Sequence, residues 1–194
     1  MDYAEKFLKS RCQDCIIDRP IRLETKVSIK RSNKSNMNLG IREAFWEGIV
    51  LYDANLESGE IISIRDIEYL IQTVDYDPSS FECAFFSAKC NATLQHKRLV
   101  KDVDKNFNPI EQWKDVNPDK IDVPSYGEIV TYRMMQEDPG LEEGTKYTFQ
   151  ISKSLGVRRL DRIRFENNNY QVISIDDIGM NGVVRCQVSE DFRA

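Results

Sequence analysis

Residues 62–75 are echoed by residues 163–176, and a chain that repeats a stretch in this way must fold its two copies alike. Tyr69 falls on Tyr170, Ile71 on Val172, Thr73 on Ser174, Val74 on Ile175 and Asp75 on Asp176. Each copy reads as a short strand, a tight turn and a longer strand with an aromatic residue near its start. A polar loop opening on Asp follows, then a third strand over residues 82–90 in the first copy and 183–189 in the second. Runs of this length, rich in Ile, Val, Tyr and Thr and bounded by turn residues, are the pattern of a β-meander. Two meanders predict a mainly β chain of one or two small meander-based β-barrels or sandwiches with long loops.

The flanking sequence extends this plan. Tyr3, Phe7, Leu8, Cys12, Cys15 and Ile16 recur at three-to-four spacing, which predicts an N-terminal amphipathic helix over residues 3–16, ended by Pro20. Ile21, Leu23, Thr25, Val27 and Ile29 then alternate with Arg22, Glu24, Lys26, Ser28 and Lys30, the period of a half-buried strand. Residues 31–38 form a polar break, and 45–52 read as another strand. Asn167-Asn168 predicts the tight turn of the second meander, because Asn tolerates the left-handed backbone a short hairpin needs. Asn108-Pro109, Asn117-Pro118 and Pro124 punctuate residues 101–126 too often for a long regular element, so this stretch reads as a crossing segment with at most one helical turn around Trp113. Residues 129–134 and 147–151 read as strands on either side of an acidic loop over 137–143. The expected divisions are a helix over 1–20, a first meander unit over 21–100, a crossing over 101–126 and a second unit over 127–194.

Composition narrows the possible chemistry. The chain of 194 residues has 27 basic and 32 acidic side chains, and a net charge of -5 argues against a surface that grips nucleic acid. No run approaches the ~18 apolar residues of a membrane span, and Met1-Asp2-Tyr3-Ala4-Glu5 lacks the basic and apolar regions of a secretory signal. Five cysteines without a regular framework fit reduced thiols, and Asn91-Ala92-Thr93 matches a glycosylation pattern that has no use without export.

No candidate chemistry assembles into a site. Cys12-Gln13-Asp14-Cys15 has the spacing of half a zinc knuckle or of a thiol-redox motif, but Cys83, Cys90, Cys186 and His96, the single histidine, supply no second pair, and the motif falls within or at the end of the expected helix rather than at its start. These cysteines are expected to act as small apolar residues. The acidic groups Asp102 with Asp104, Asp176-Asp177 and Glu142-Glu143 lack calcium-loop spacing and read as solvated loop carboxylates. Arg158-Arg159, Arg162 and Arg164 are the densest basic patch, for which a phosphate contact is one reading, while the alternation of Arg162 and Arg164 with Ile163 and Phe165 reads as the outward face of a strand. Trp46 reads as a core residue and Trp113 as a loop anchor. The expectation is no catalytic residue, no cofactor and no metal.

Two stretches carry a family resemblance. Lys89-Cys90-Asn91-Ala92-Thr93-Leu94-Gln95-His96 resembles the Cys-Asn-x-Thr-Leu-x-Trp stretch that follows a β-meander in head-tail connector and head-closure proteins of tailed phages of Gram-positive hosts, with His96 in place of the tryptophan. The segment from Asp161 to Phe165, through Tyr170 to Asp177 and on to Gly182-Val183-Val184, is similar to the closing meander of neck and tail-adaptor proteins. The resemblance implies a ring-forming, non-enzymatic β-barrel protein of the virion, assembled in the host cytoplasm. It would join the DNA-filled capsid to the tail, with a portal or adaptor protein above, a tail protein below, and DNA passing through its channel without specific recognition. Alternatives are a tail-completion or tail-adaptor protein, or a soluble OB-like or SH3-like module that binds nucleic acid or a peptide. A metal-dependent enzyme using the acidic loops with Cys12 and Cys15 is a third.

Overall fold

The computed structural model describes residues 12–32, 44–77, 79, 82–103, 105 and 107–193. They form thirteen strands, one short α-helix and two 3-10 turns, in two compact units. The first unit takes the chain to Cys90 together with residues 178–183, and the second takes 91–177 and 184–194.

In the first unit β1 (Gln13–Ile17), β2 (Leu23–Arg31) and β3 (Phe45–Leu51) make one antiparallel meander. A second is made by β4 (Ile61–Ile64), β5 (Ile67–Asp77) and β6 (Glu82–Lys89). β3 pairs with β6, and β4 pairs with β1 through Ile16 to Ser63 and Ile17 to Ile62. The sheet therefore closes as a barrel in the order β1-β2-β3-β6-β5-β4. Closure leaves these strands no long open edge. Ile17, Val27, Val50, Ile62, Ile71 and Cys83 fill the interior, alternating along their strands with residues that face out.

The second unit repeats this plan strand for strand. β7 (Ala92–Val103), β9 (Asp122–Ile129) and β10 (Tyr147–Ser152) stand for β1, β2 and β3. β11 (Arg162–Phe165), β12 (Asn168–Asp176) and β13 (Val183–Glu190) stand for β4, β5 and β6. The barrel closes through β11 and β7, with Ile163 opposite His96. Leu94, Phe149, Ile151, Ile163, Val172, Cys186 and Val188 form its core. One strand has no counterpart among the described residues of the first unit: β8 (Pro109–Asp115) folds back on a lengthened β7 and is the end strand of its sheet.

The sequence echo extends well beyond residues 62–75. Both meanders turn on two left-handed residues, Arg65-Asp66 and Glu166-Asn167, as a two-residue hairpin requires. Both long strands carry a register shift at the same place, between Ile71 and Thr73 and between Val172 and Ser174. Both units place a 3-10 turn after the third strand, Tyr52–Ala54 and Lys153–Leu155, stopped by left-handed Asn55 and Gly156.

Several expectations need correction. Residues 13–16 are strand, with Cys15 and Ile17 buried and Ile16 outward. In so short a run the three-to-four and every-second-residue patterns share positions, and pairing with β2 and β4 decides. The rest of the expected helix, residues 3–11, lies outside the described residues. Residues 101–126 are largely strand, because Pro109 begins β8, where a missing N–H is tolerated, and Trp113 sits within that strand. The second unit accordingly begins at Asn91, before the expected crossing. Residues 129–134 are the end of β9 and the start of α1 (Tyr132–Glu137), whose first turn is capped by Thr131 Oγ1 accepting from Met134 N–H. The second meander turns on Glu166-Asn167, one residue before the expected Asn167-Asn168.

Candidate functional site

The densest polar group among the described residues lies in the second barrel, around Asp161 in the loop entering β11. Arg98 on β7 donates from Nε to Asp161 Oδ1 at 2.8 Å and from Nη2 to Oδ2 at 2.7 Å. His96 Nε2 stands 2.7 Å from the same Oδ2, and the Arg158 N–H donates to it at 2.8 Å. Burial alone would push the Asp161 carboxyl up, but these donors prevail and hold it at about 2. Since the ionised carboxylate only accepts, the imidazole donates from Nε2, and its Nδ1 is buried without a hydrogen-bond partner.

The first barrel builds the same lock without a histidine. Arg19 grips Glu60 with Nε and, at 2.8 Å, with Nη2, and the Glu57 N–H donates to Glu60 at 2.8 Å. In both units the arginine also reaches the carbonyl of the residue that stops the 3-10 turn: Arg19 to Asn55 at 2.6 Å and Arg98 to Gly156 at 2.8 Å. Ile17 stands where His96 stands: Ile17 is opposite Ile62 and His96 opposite Ile163. A feature present in both barrels, one of them without the imidazole, is a fastening for the seam between the first and fourth strands. The surroundings of His96 agree with this: His96 and Asp161 are 4% and 3% exposed, and neighbouring Cys186 is fully enclosed. Burial, aided by the charge of Asp161, pushes the Cys186 thiol up to about 12, which keeps it protonated and unreactive.

The other residues singled out in the sequence stand apart from one another. Cys15 and Cys83 are core residues whose thiols burial pushes up to about 12 and about 11; Cys12 and Cys90 are half-buried. Among the described residues, no group of three or more His, Cys, Asp or Glu side chains is placed to hold a metal. Asp102 pairs with Lys114 across the β7–β8 hairpin at 3.1 Å, and Asp177 receives Lys153; Asp104 lies outside the described residues. Glu142 and Glu143 are exposed.

The basic patch is divided. Arg158, Arg159 and Arg164 are exposed, but Arg162 is buried. Its Nε donates to Asp191 Oδ2 at 2.8 Å, and its guanidinium lies 3.7 Å from the Trp113 ring centre. Arg193 covers Trp113 from 4.9 Å and bonds Asp191 at 2.8 Å, tying the C-terminal residues to β8. Trp113 is therefore an anchor, as read from the sequence, but on a strand, and Trp46 packs edge-on to Tyr69 at 5.6 Å against the first core.

Two surfaces offer themselves for contact. The outer face of β2, β3, β6 and β5 encloses a recess of about 650 Å³ lined by Lys30, Glu47, Ile49, Asp75, Ala84 and Phe86. The β7–β8 hairpin presents exposed Val103 and Phe107. Sequence reasoning missed the recess, and it missed Asp161 and Arg98; the hairpin end falls within residues 101–126, which it read as a crossing segment, and it named His96 and Arg158 without joining them to a carboxylate. Extending the echo two residues back sets Glu60 on Asp161, whereas Arg19 falls on Arg98 only once β1 and β7 are matched through the closing seam. No protein-family model matches the chain, and no curated protein matches its sequence.

Proposed function

We propose that this chain is a non-enzymatic assembly subunit of a tailed-phage neck, forming a ring between the DNA-filled capsid and the tail. The observation that favours it is the construction of the chain: two closed barrels of one design, with polar residues spent on fastening their seams. Such rigid blocks suit repeated packing about an axis. Closure removes free strand edges as a means of joining copies, and among the described strands leaves β8 with a single neighbour. The net charge of -5 suits a channel that DNA passes without adhering. A portal or adaptor protein above and a tail protein below are the proposed partners, and the virion the proposed location. No helix among the described residues is long and apolar enough to cross a membrane.

A nucleic-acid-binding module is the less favoured alternative, because Arg162 is committed to Asp191 and Trp113 and cannot reach a phosphate without breaking both contacts. Disrupting the gene in the virus that carries it tests the neck proposal. The expected products are DNA-filled heads and free tails that fail to join; normally joined particles would overturn it.

A further inference from the structure

Because the barrels correspond face by face, each is a reference for the other. On the outer face of the first barrel Phe45 stacks on Phe86 with ring centres 5.6 Å apart, beside Ile49 and Ala84. At the matching places the second barrel has Lys146, Gln187, Gln150 and Arg185. On this face the second barrel holds its own residues 138–142 through Gln187 and Arg185, so the face takes a docked segment by polar contacts there. The first barrel presents apolar residues at the same places, which suit an apolar partner.

The β7–β8 hairpin is the complementary departure, present only in the second barrel. Val103 is 59% exposed and Phe107 is 87% exposed, with exposed Lys105 between them. Phe107 also sits at φ 64°, a left-handed conformation that suits Asn or Gly and rarely holds a bulky residue. A strained, uncovered aromatic side chain at a hairpin end points to a use outside its own chain.

We propose that the β7–β8 hairpin of one copy docks into the outer recess of the first barrel of a second copy. Phe107 and Val103 meet Ile49, Ala84 and Phe86, and Lys105 approaches Asp75, while Lys30 of the recess is neutralised by Glu47 at 3.3 Å. A recess of about 650 Å³ is of the size that encloses a few side chains. Because hairpin and recess are different surfaces, the contact is heterologous and repeats head to tail, closing into a ring where the rotation permits. It rests on the ring proposal above and names its interface.

Sedimentation velocity of the full chain over a concentration series, from low micromolar to submillimolar, tests it with two double variants. One carries Ile49→Gln with Phe86→Gln, which installs the residues of the second barrel; the other carries Val103→Thr with Phe107→Asn, which relaxes the left-handed residue. The unaltered protein is expected to associate with rising concentration, and each variant alone to remain monomeric. An equimolar mixture of the two variants should form dimers and nothing larger, because one intact hairpin meets one intact recess. An unaltered protein that stays monomeric throughout, or a mixture that does, overturns the interface. Variants that associate like the unaltered protein also overturn it, while leaving the ring proposal to be judged on the virion.

Discussion

Arg98 holds both carboxylate oxygens of Asp161, at 2.8 and 2.7 Å, across the seam that closes the second barrel. Arg19 holds Glu60 in the same way in the first. The two locks differ in depth: Asp161 is 4% exposed at its side chain, whereas Glu60 is 17% exposed and Arg19 26%.

Replacing Asp161 by Asn leaves Arg98 and His96 facing a group that cannot satisfy them, and removing one partner of a buried pair costs about 3 kcal/mol. Glu60→Gln, in its wetter setting, is expected to cost roughly 1 kcal/mol or less. Urea unfolding of the two variants measures the difference. Equal losses would show that burial does not set the strength of the lock.

Acid should weaken the second barrel in a defined range. Asp161 and Asp191 are both held at about 2: burial opposes ionisation in each, but Arg98 and His96 prevail at the first, and Arg193 and Arg162 at the second. An unfolded aspartate titrates near ~3.9. Folded-state values below the unfolded one give stability that is complete above about pH 5 and lost as pH falls towards 2. The urea midpoint should therefore hold steady from pH 7 to about 5 and fall below 4, with a shallower fall in Asp161→Asn. A midpoint indifferent to acid would contradict the assignment.

Gly48 lies beneath the Phe85 ring, and a Cβ there would stand 2.5 Å from the ring and 2.7 Å from the Ser28 carbonyl oxygen. Gly48→Ala is expected to destabilise the first barrel by about 1–3 kcal/mol through overpacking. Thermal unfolding checks this, and an unchanged midpoint would mean that the ring can swing aside without cost.

The guanidinium groups of Arg162 and Arg193 both lie over the Trp113 ring, and each such contact is worth about 0.5–2 kcal/mol. Trp113→Leu should loosen β8 and the C-terminal residues while leaving the first barrel intact. Hydrogen exchange should quicken over 109–115 and 191–193 and stay unchanged over 61–71; uniform quickening would contradict a local role.

What could be read from the sequence followed from local pattern. The meanders were legible because Ile62, Tyr69 and Ile71 recur as Ile163, Tyr170 and Val172 and alternation fixes which side faces in. β1 was misread because Cys12, Cys15 and Ile16 fit a helix as well as a strand, and its state is decided by partners distant in sequence, β2 and β4. β8 was hidden by Pro109 and the asparagines around it, which punctuate a hairpin as readily as a loop. Asp161 and Arg98 carry no local signature at all, since closure of the barrel brings them together. The Arg162 side chain was read as outward from alternation, but Trp113 and Asp191 bury it.

Electron microscopy of the purified virus is the most direct measurement of whether these tandem barrels build a neck. Density at the junction of head and tail is expected to show a ring whose subunits each fit two barrels with a hairpin projecting from the second. A junction fully accounted for by other chains, with none of this protein in the particle, would contradict the proposal.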